Sequence, residues 1–271
     1  DAEDVSYLLH AVNEAFENLH LSPDDVVSTW AGLRPLVNEE GKPSSVSRDY
    51  EIVATDTGLV TIAGGKLTTY RSMAEVLLDE ILSRFADRFE RQFSECQTAS
   101  QPLYGGEIAD FEKYLAAELK GIGNAWGLSS KIVKRLLYHY GTDYLKILAL
   151  GLVDRDFLLP LSTEPALTAA LKGEVIYAVE EEMAMTLDDF MERRTDLKHF
   201  SPEQGRNIAA EVANLMGQQL QWTGQEKQQQ LEAYCHGVEK IIAFPKAEVS
   251  VGKPRDRSLL KTKQPRAIKS C

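Results

Sequence analysis

The residues best suited to chemistry lie in the turn Gly64-Gly65-Lys66, between a predicted strand and a predicted helix. Gly58 to Ala63 is a short β-branched apolar run, which is typical of a buried strand. Two glycines let the backbone approach a flat or charged group closely. The N–H groups at the start of a helix, with the positive end of its dipole, attract an anion or an electron-rich ring. Lys66 adds a full positive charge at this place.

The turn also has a purely structural interpretation, because strand–glycine–helix turns are common and most of them bind nothing. The chain contains neither the dinucleotide fingerprint G-x-G-x-x-G nor the P-loop pattern. The pattern therefore predicts a site for an anion or a ring at this turn and not a dinucleotide clamp.

Arg34 is the second candidate, because its neighbours hold the backbone stiffly. Within residues 26–37, Val26, Val27 and Trp30 suggest a strand that Gly32 and Pro35 end. The residue before a proline is restricted to an extended shape. A guanidinium held in this way suits a fork-shaped contact with a carboxylate or a phosphate. An ordinary surface ion pair is the alternative for Arg34.

Arg48 begins a further predicted strand, 48–54, which the turn T-D-T-G joins antiparallel to the strand 58–63. That pairing would bring Arg48 near the turn that carries Lys66. The sequence thus permits Arg34, Arg48 and Lys66 to converge on one face.

The elements that must position these residues follow from hydrophobic periodicity. After the glycine turn, two apolar rows at a spacing of four predict an amphipathic helix: Met73, Leu77 and Ile81, then Leu78, Leu82 and Phe85. Residues 2–18 have the same helical periodicity. The polar stretch 94–106 predicts a domain boundary.

Beyond that boundary, the pattern is helical throughout and predicts a compact bundle. The residue types favoured at helix N-termini occur at Asp110, at Ser129 or Ser130, at Asp143, at Thr186 and at Ser201-Pro202. Further helices are predicted over 174–184 and 224–240.

Composition restricts the classes of partner and of cellular compartment that the chain can have. A net charge of −11 over 271 residues argues against a nucleic-acid partner for the body of the chain. Three cysteines far apart in sequence favour a reducing compartment. No run of eighteen apolar residues and no signal peptide is found. Residues 245–271 carry eight basic residues against two acidic ones, so an anionic membrane surface could attract this tail, although a merely solvated tail is equally compatible.

Several segments resemble the FAD-dependent glycerol-3-phosphate dehydrogenases: STWAGLRPLV, SRDYEIV, GLVTIAGGKLTTYRSMAE and, at residues 173–197, GEVIYAVEEEMAMTLDDFMERRTDL. The resemblance covers about residues 5–240. It implies an α+β fold in which the end of an FAD and substrate domain, with antiparallel strands and a strand–turn–helix unit, precedes an all-α domain. The implied boundaries are 1–98, 99–244 and a basic tail, 245–271. The Rossmann fingerprint of the family is missing, so we expect a fragment that is inactive alone.

For the complete enzyme, the resemblance implies hydride transfer from sn-glycerol 3-phosphate to FAD, release of dihydroxyacetone phosphate, and reoxidation of the flavin by a quinone. Arg34, Arg48 and Lys66 would bind the substrate, with Arg34 and Lys66 also stabilising the charge that develops on the C2 oxygen. The cofactor-binding residues would be Gly64, Gly65, Lys66, Leu67 and Thr68, whose N–H groups would face the flavin edge where charge collects on reduction. No metal is expected.

The remaining alternatives concern the electron acceptor and the fragment itself. An oxidase of the same family would pass electrons to oxygen, and a helical binding or scaffold fragment would have no activity. The resemblance implies that a mitochondrial form would carry EF-hand calcium loops after the helical domain. No D-x-[DN]-x-[DN]-G pattern occurs here, which favours a bacterial type of enzyme. The resemblance implies a cytoplasmic location, with peripheral contact to the inner face of the membrane, and a second copy of the chain as a candidate partner.

Overall fold

The computed structural model of this chain describes residues 1–16, 18–33, 49–89, 92–161, 170–243 and 249. They group into two compact units: one joins Asp1–Trp30 to the chain from Lys146 onward, and the other is Ala31–Leu145. The predicted division at residue 98 stays a prediction. The tail predicted over 245–271 lies outside the described residues except for Val249.

A β-hairpin and a helix form the first half of the unit Ala31–Leu145. Strands β1 (Tyr50–Ala54) and β2 (Val60–Gly64) pair antiparallel. Half-buried and exposed residues alternate along both strands, as expected for a sheet with one covered face. The predicted hairpin is thus confirmed, with β1 and β2 each beginning two residues later than expected. Together with the helices that follow, this small sheet confirms the α+β class.

Helix α2 (Tyr70–Arg84) follows β2, but a 3₁₀ turn, Leu67–Thr69, separates it from the glycines. The first predicted apolar row, Met73, Leu77 and Ile81, is half-buried, whereas Leu78 of the second row is exposed. No residue of α2 is fully buried. The apolar rows of this helix are therefore only partly covered by the described residues.

Helices α3 (Phe111–Trp126) and α4 (Ser130–Tyr140) complete this unit and begin where the sequence predicts. Asp110 Oδ1 accepts a hydrogen bond from Lys113 N at 3.0 Å, and Ser129 Oγ accepts one from Ile132 N at 3.4 Å. Such side-chain bonds satisfy N–H groups that have no partner inside the helix. Helix α5 (Tyr144–Val153) comes next, directly after Asp143.

The other unit is helical. It begins with α1 (Ala2–Ala15) and continues with α6 (Lys172–Glu180), a π-helix (Asp189–Arg194), α7 (Leu197–Phe200), α8 (Arg206–Gln219) and α9 (Gly224–Ile242). Its core contains fully buried apolar side chains from several of these elements, among them Val175, Phe190, Met191, Val212, Met216, Tyr234 and Val238. The predicted helix over 174–184 begins two residues earlier and ends at Glu180.

The helix start predicted at Ser201-Pro202 is wrong. Helix α8 begins only at Arg206, after Gly205 in a left-handed conformation at φ 70°. Ser201 instead joins a tight turn, in which its hydroxyl donates to Leu197 O at 2.7 Å and accepts from Gly205 N at 2.8 Å. The capping residues serve the turn between α7 and α8 because these non-local contacts override the local signal.

The strand predicted over 26–37 is also wrong for its described part, 26–33, which contains no strand. Thr29 N donates to Ile241 O at 2.7 Å, near the end of α9, so this extended segment bonds to a helix terminus and not to another strand. The rest of that predicted strand lies outside the described residues.

Candidate functional site

The glycine turn at the end of β2 has the backbone shape that the sequence predicts. Gly64 and Gly65 have φ angles of 85° and 84°, a left-handed region that other residues rarely adopt. A Cβ atom on Gly65 would overlap the Sδ atom of Met73. Gly65 therefore allows α2 to pack closely against the end of β2, and any side chain here would displace Met73.

Two N–H groups of the turn donate a hydrogen bond within the structure, and the next two have no acceptor among the described residues. Gly65 N donates to Asp49 O at 3.2 Å, and Lys66 N donates to Thr69 Oγ1 at 3.3 Å. Within the part of the chain that the structure describes, the N–H groups of Leu67 and Thr68 have no acceptor. Of the four N–H groups predicted to face a ligand, Gly65 to Thr68, only those of Leu67 and Thr68 have no acceptor among the described residues. Both lie at the start of the 3₁₀ turn.

Lys66 lies at the exposed side of this turn, in an extended conformation just before Leu67. No ion pair to Lys66 is found among the described residues. The side chain of Leu67 is also exposed, at 89%. The turn therefore presents two N–H donors and an ammonium group in the same short stretch, and this combination can hold an anion or the electron-rich edge of a ring.

The two arginines of the predicted cluster, Arg34 and Arg48, lie outside the described residues. The hairpin register is described as far as Tyr50, which pairs with Gly64, and Asp49, whose carbonyl accepts from Gly65. The beginning of β1 therefore adjoins the glycine turn, as the sequence predicts. Convergence of the three cations remains a prediction.

A small cavity lies at the opposite end of the hairpin and was not predicted. It has a volume of about 290 Å³ and is lined by Gly58, Val60, Ile81, Phe85, Arg88 and Phe89. The Arg88 guanidinium lies 4.7 Å above the Phe85 ring. The spacing of Ile81 and Phe85 was the only signal for this cavity in the sequence. Its lining contains one charged side chain and no pair of groups that could act as acid and base.

A buried ion cluster in the helical unit was also missed. Lys198 has a 6% exposed side chain, and its ammonium lies 2.7 Å from Asp188 Oδ1 and 2.5 Å from Glu192 Oε2. Burial opposes the charged form of Lys198, but the hydrogen bonds that its ammonium donates to the two carboxylates outweigh burial and raise its pKa. For Glu192, burial likewise acts against the charged form, yet the bond to Lys198 prevails and lowers its pKa.

This cluster connects the π-helix to α7, and its ammonium group donates hydrogen bonds to its two carboxylates. Only its short sequence spacing, Asp188, Glu192 and Lys198, could have indicated it.

Among the described residues, no group of three histidine, cysteine or carboxylate side chains could hold a metal ion. The described helices likewise include none long and apolar enough to cross a membrane.

Comparison with known proteins assigns the helical second half of the chain to a known domain family. Residues 96–227 match a family model described as the C-terminal domain of alpha-glycerophosphate oxidase. The helical second half thus has the fold of that domain.

Three relatives match most of the chain, and all are named aerobic glycerol-3-phosphate dehydrogenase. The protein from Bacillus subtilis is 38% identical over 239 residues, which are 85% of this chain and 41% of the relative. The Staphylococcus haemolyticus protein is 35% identical over 82% of this chain and 39% of its own length. The Staphylococcus aureus protein is 31% identical over 89% and 42%, respectively.

A solved structure, the glycerol-3-phosphate dehydrogenase from Bacillus halodurans complexed with FAD, aligns with a TM-score of 0.70. It is 32% identical and covers 89% of this chain and 45% of its own. The chain therefore belongs to the family of FAD-dependent glycerol-3-phosphate dehydrogenases, and it spans about two fifths of the length of the relatives named above.

Proposed function

We propose that this chain is the C-terminal portion of an enzyme that oxidises sn-glycerol 3-phosphate to dihydroxyacetone phosphate with FAD. The glycine turn supports this proposal most directly. Two left-handed glycines, an exposed lysine and two N–H groups with no acceptor among the described residues follow one another in a chain whose relatives bear that name. We call this chain, together with an N-terminal flavin-binding portion, the complete enzyme.

The residues of the turn fit FAD. Gly64 and Gly65 have no side chains, so a flat ring can pack against their backbone, and Leu67 N and Thr68 N can donate to a ring oxygen that becomes electron-rich on reduction. When bound, FAD supplies the acceptor for the hydride of the substrate.

The cations bind and polarise the substrate. In this proposal, Lys66 donates a hydrogen bond to the oxygen on C2, where negative charge develops as the hydroxyl proton is lost to a base of the N-terminal portion and before the C2 hydride is transferred. Arg34 and Arg48 hold the phosphate dianion and thereby fix the orientation of the substrate. The exposed Leu67 and the half-covered rows of α2 are then covered by the N-terminal portion, which excludes water from the site.

The acceptor of the electrons is a quinone in this proposal, because the relatives are named dehydrogenases. Oxygen is the second candidate, because the matching family description names an oxidase. The enzyme would be cytoplasmic and contact the inner face of the membrane peripherally, with a second copy of the chain as a further partner. These statements rest on the resemblance and on the basic composition of residues 245–271.

Anaerobic stopped-flow mixing of the complete enzyme with glycerol 3-phosphate tests the proposal. We expect the flavin absorbance to bleach, and reoxidation to be faster with a soluble quinone than with air. Lys66→Met should slow the bleaching by roughly 10²-fold, the usual cost of losing one preorganised electrostatic contact. Lys113→Met, which changes an exposed lysine on α3, should leave the rate unchanged.

No bleaching by the parent enzyme would disprove the activity. A Lys66→Met rate within threefold of the parent would remove Lys66 from the site while leaving the activity in place. Faster reoxidation by air than by quinone would favour the oxidase.

A further inference from the structure

Two of the five methionines of the chain lie at its surface, in the turn between α6 and the π-helix. Met183 is 78% exposed and Met185 is 56% exposed. By contrast, Met191 and Met216 are fully buried in the core of the same unit, and Met73 of the other unit is half-buried. The methionine sulfurs of this chain therefore differ widely in their access to water and to solutes.

The backbone of this turn is fixed on both sides of the exposed pair. Asp189 Oδ2 accepts a hydrogen bond from Met185 N at 2.9 Å. The Arg194 guanidinium donates to Glu182 O, and its Nε lies 3.2 Å from Glu182 Oε2. Between the two methionines, Ala184 is fully buried, and its N donates to a carbonyl of α6 at 2.8 Å. The turn is thus attached both to α6 and to the π-helix.

Met183 has a backbone conformation that few side chains adopt. Its φ angle is 58°, in the left-handed region, where a Cβ atom is crowded by the neighbouring backbone. The bonds of Glu182, Ala184 and Met185 hold this conformation, because they fix the residues directly before and after it. The exposure of the two methionines therefore comes from the backbone of the turn and does not depend on packing of their side chains.

An exposed methionine thioether can react with a peroxide. The sulfur attacks one oxygen of hydrogen peroxide, an S–O bond forms and the O–O bond breaks. The sulfur loses two electrons, the peroxide gains them, and the second oxygen takes up the proton of the first and leaves as water. The product is a sulfoxide, which is polar and chiral where the thioether was apolar.

We propose that Met183 and Met185 form a paired methionine-sulfoxide site, which peroxide oxidises before the other methionines of this chain. The selectivity comes from exposure, because the core methionines are reached by a solute only when the unit opens. Oxidation makes the turn polar while the core keeps its packing, because neither sulfur is part of the core. Peroxide is the only co-reactant, so the site does not rest on the proposed function.

Peptide mapping of the complete enzyme after exposure to hydrogen peroxide tests the proposal. Met183 and Met185 should each gain one oxygen atom at least roughly tenfold faster than the buried Met191 and Met216. Mapping also separates these products from those of the exposed cysteines of the chain, which react with peroxide as well. A methionine sulfoxide reductase should remove both oxygen atoms, since this enzyme reverses sulfoxides.

Matched variants separate a surface reaction from a disturbed fold. Met183→Leu and Met185→Leu should each prevent the gain of one oxygen atom and leave the rate at the other methionine unchanged. Met185→Gln, which makes the side chain polar as a sulfoxide does, should leave the melting temperature unchanged. Met216→Gln places the same polar group in the core and should lower the melting temperature by several degrees. If Met183→Leu does not fold, Met183→Asn replaces it, because asparagine tolerates a left-handed backbone.

The oxidation rates and the melting temperatures decide the outcome. Oxidation at Met183 and Met185 that is no faster than at Met191 and Met216 would overturn the proposal. A melting temperature that falls as much on oxidation of the pair as in Met216→Gln would also overturn it, because the two sulfurs would then belong to the packed structure. Failure of the enzyme to oxidise glycerol 3-phosphate would overturn the proposed function alone.

Discussion

Replacing Lys198 by methionine should destabilise the helical unit more than any replacement of an exposed lysine. The variant removes the cation that faces Asp188 and Glu192 but keeps a side chain of similar length in the buried site. Removing one partner of a buried ion pair typically costs about 3–5 kcal/mol, because a buried charge is left without compensation.

Solvent access to the two carboxylates sets the value within that range. Their side chains are 32% and 34% exposed, so water can partly solvate them, and we expect the lower end, about 3 kcal/mol. For a unit of this size, about 2–4 °C of melting temperature correspond to each kcal/mol. The expected loss is therefore about 6–12 °C at neutral pH.

The pH dependence gives a second, independent check. The pKa of Glu192 is lowered below its ordinary value of 4.5, so its stabilising contribution is present above that value and is lost as the pH falls through the lowered pKa. Without Lys198, burial favours the neutral form of Glu192 and only the contact with His199 acts against it. The stability difference between parent and variant should therefore shrink as the pH falls from 7 towards 4.

Thermal melting at pH 7 and pH 4, followed by circular dichroism, measures both effects. Lys146→Met is the control, because this lysine is 49% exposed and 3.8 Å from Glu181, and such pairs contribute less than about 1 kcal/mol. Adding Glu192→Gln to the Lys198→Met variant should recover part of the loss. A loss below about 1 kcal/mol, or an equal loss at both pH values, would refute the argument.

Two further predictions concern the glycine turn and the tail. Gly65→Ala should cost roughly 1–2 kcal/mol, because it forces a left-handed residue and a contact with Met73, whereas Gly32→Ala, with no atom within 4 Å, should be nearly neutral; equal melting temperatures would contradict this. Deleting residues 245–271 from the complete enzyme should weaken its binding to anionic vesicles at low salt by about 1 kcal/mol per surface cation, while turnover with a soluble acceptor stays intact. Vesicle co-sedimentation that is identical with and without the tail would leave it no membrane role.

Local signals predicted the elements whose determinants lie within a few residues. The hairpin needs only two alternating runs and a turn, and Asp110 and Ser129 cap their helices through contacts three residues away. The π-helix follows Thr186, whose hydroxyl accepts from Asp189 N at 3.2 Å, but the sequence predicted an ordinary helix at that place.

Elements whose partners are distant in sequence could not be predicted in this way. Val26 and Val27 suggest a strand, yet the partners of this segment are helix ends about 170 to 210 residues away. Ser201 has the composition of a helix cap and serves a tight turn instead. For the candidate site, the shape of the glycine turn was predictable because only glycine adopts it readily, whereas the burial of Lys198 depends on packing that no local pattern encodes.

The bond between Thr29 and Ile241 also determines when this unit can fold. Its partners are 212 residues apart, so the ribosome makes Thr29 long before it makes Ile241. At roughly 5–20 residues per second, the interval is about 10–40 s. Throughout that time the bonds from Thr29 to Ile241 cannot form, and the closing of a loop this long carries an entropic cost that local helices avoid. The hairpin and α2 have no such delay, because their partners are synthesised within seconds of each other. The hairpin and α2 can therefore form before Ile241 is made, whereas the bonds of Thr29 must wait for it.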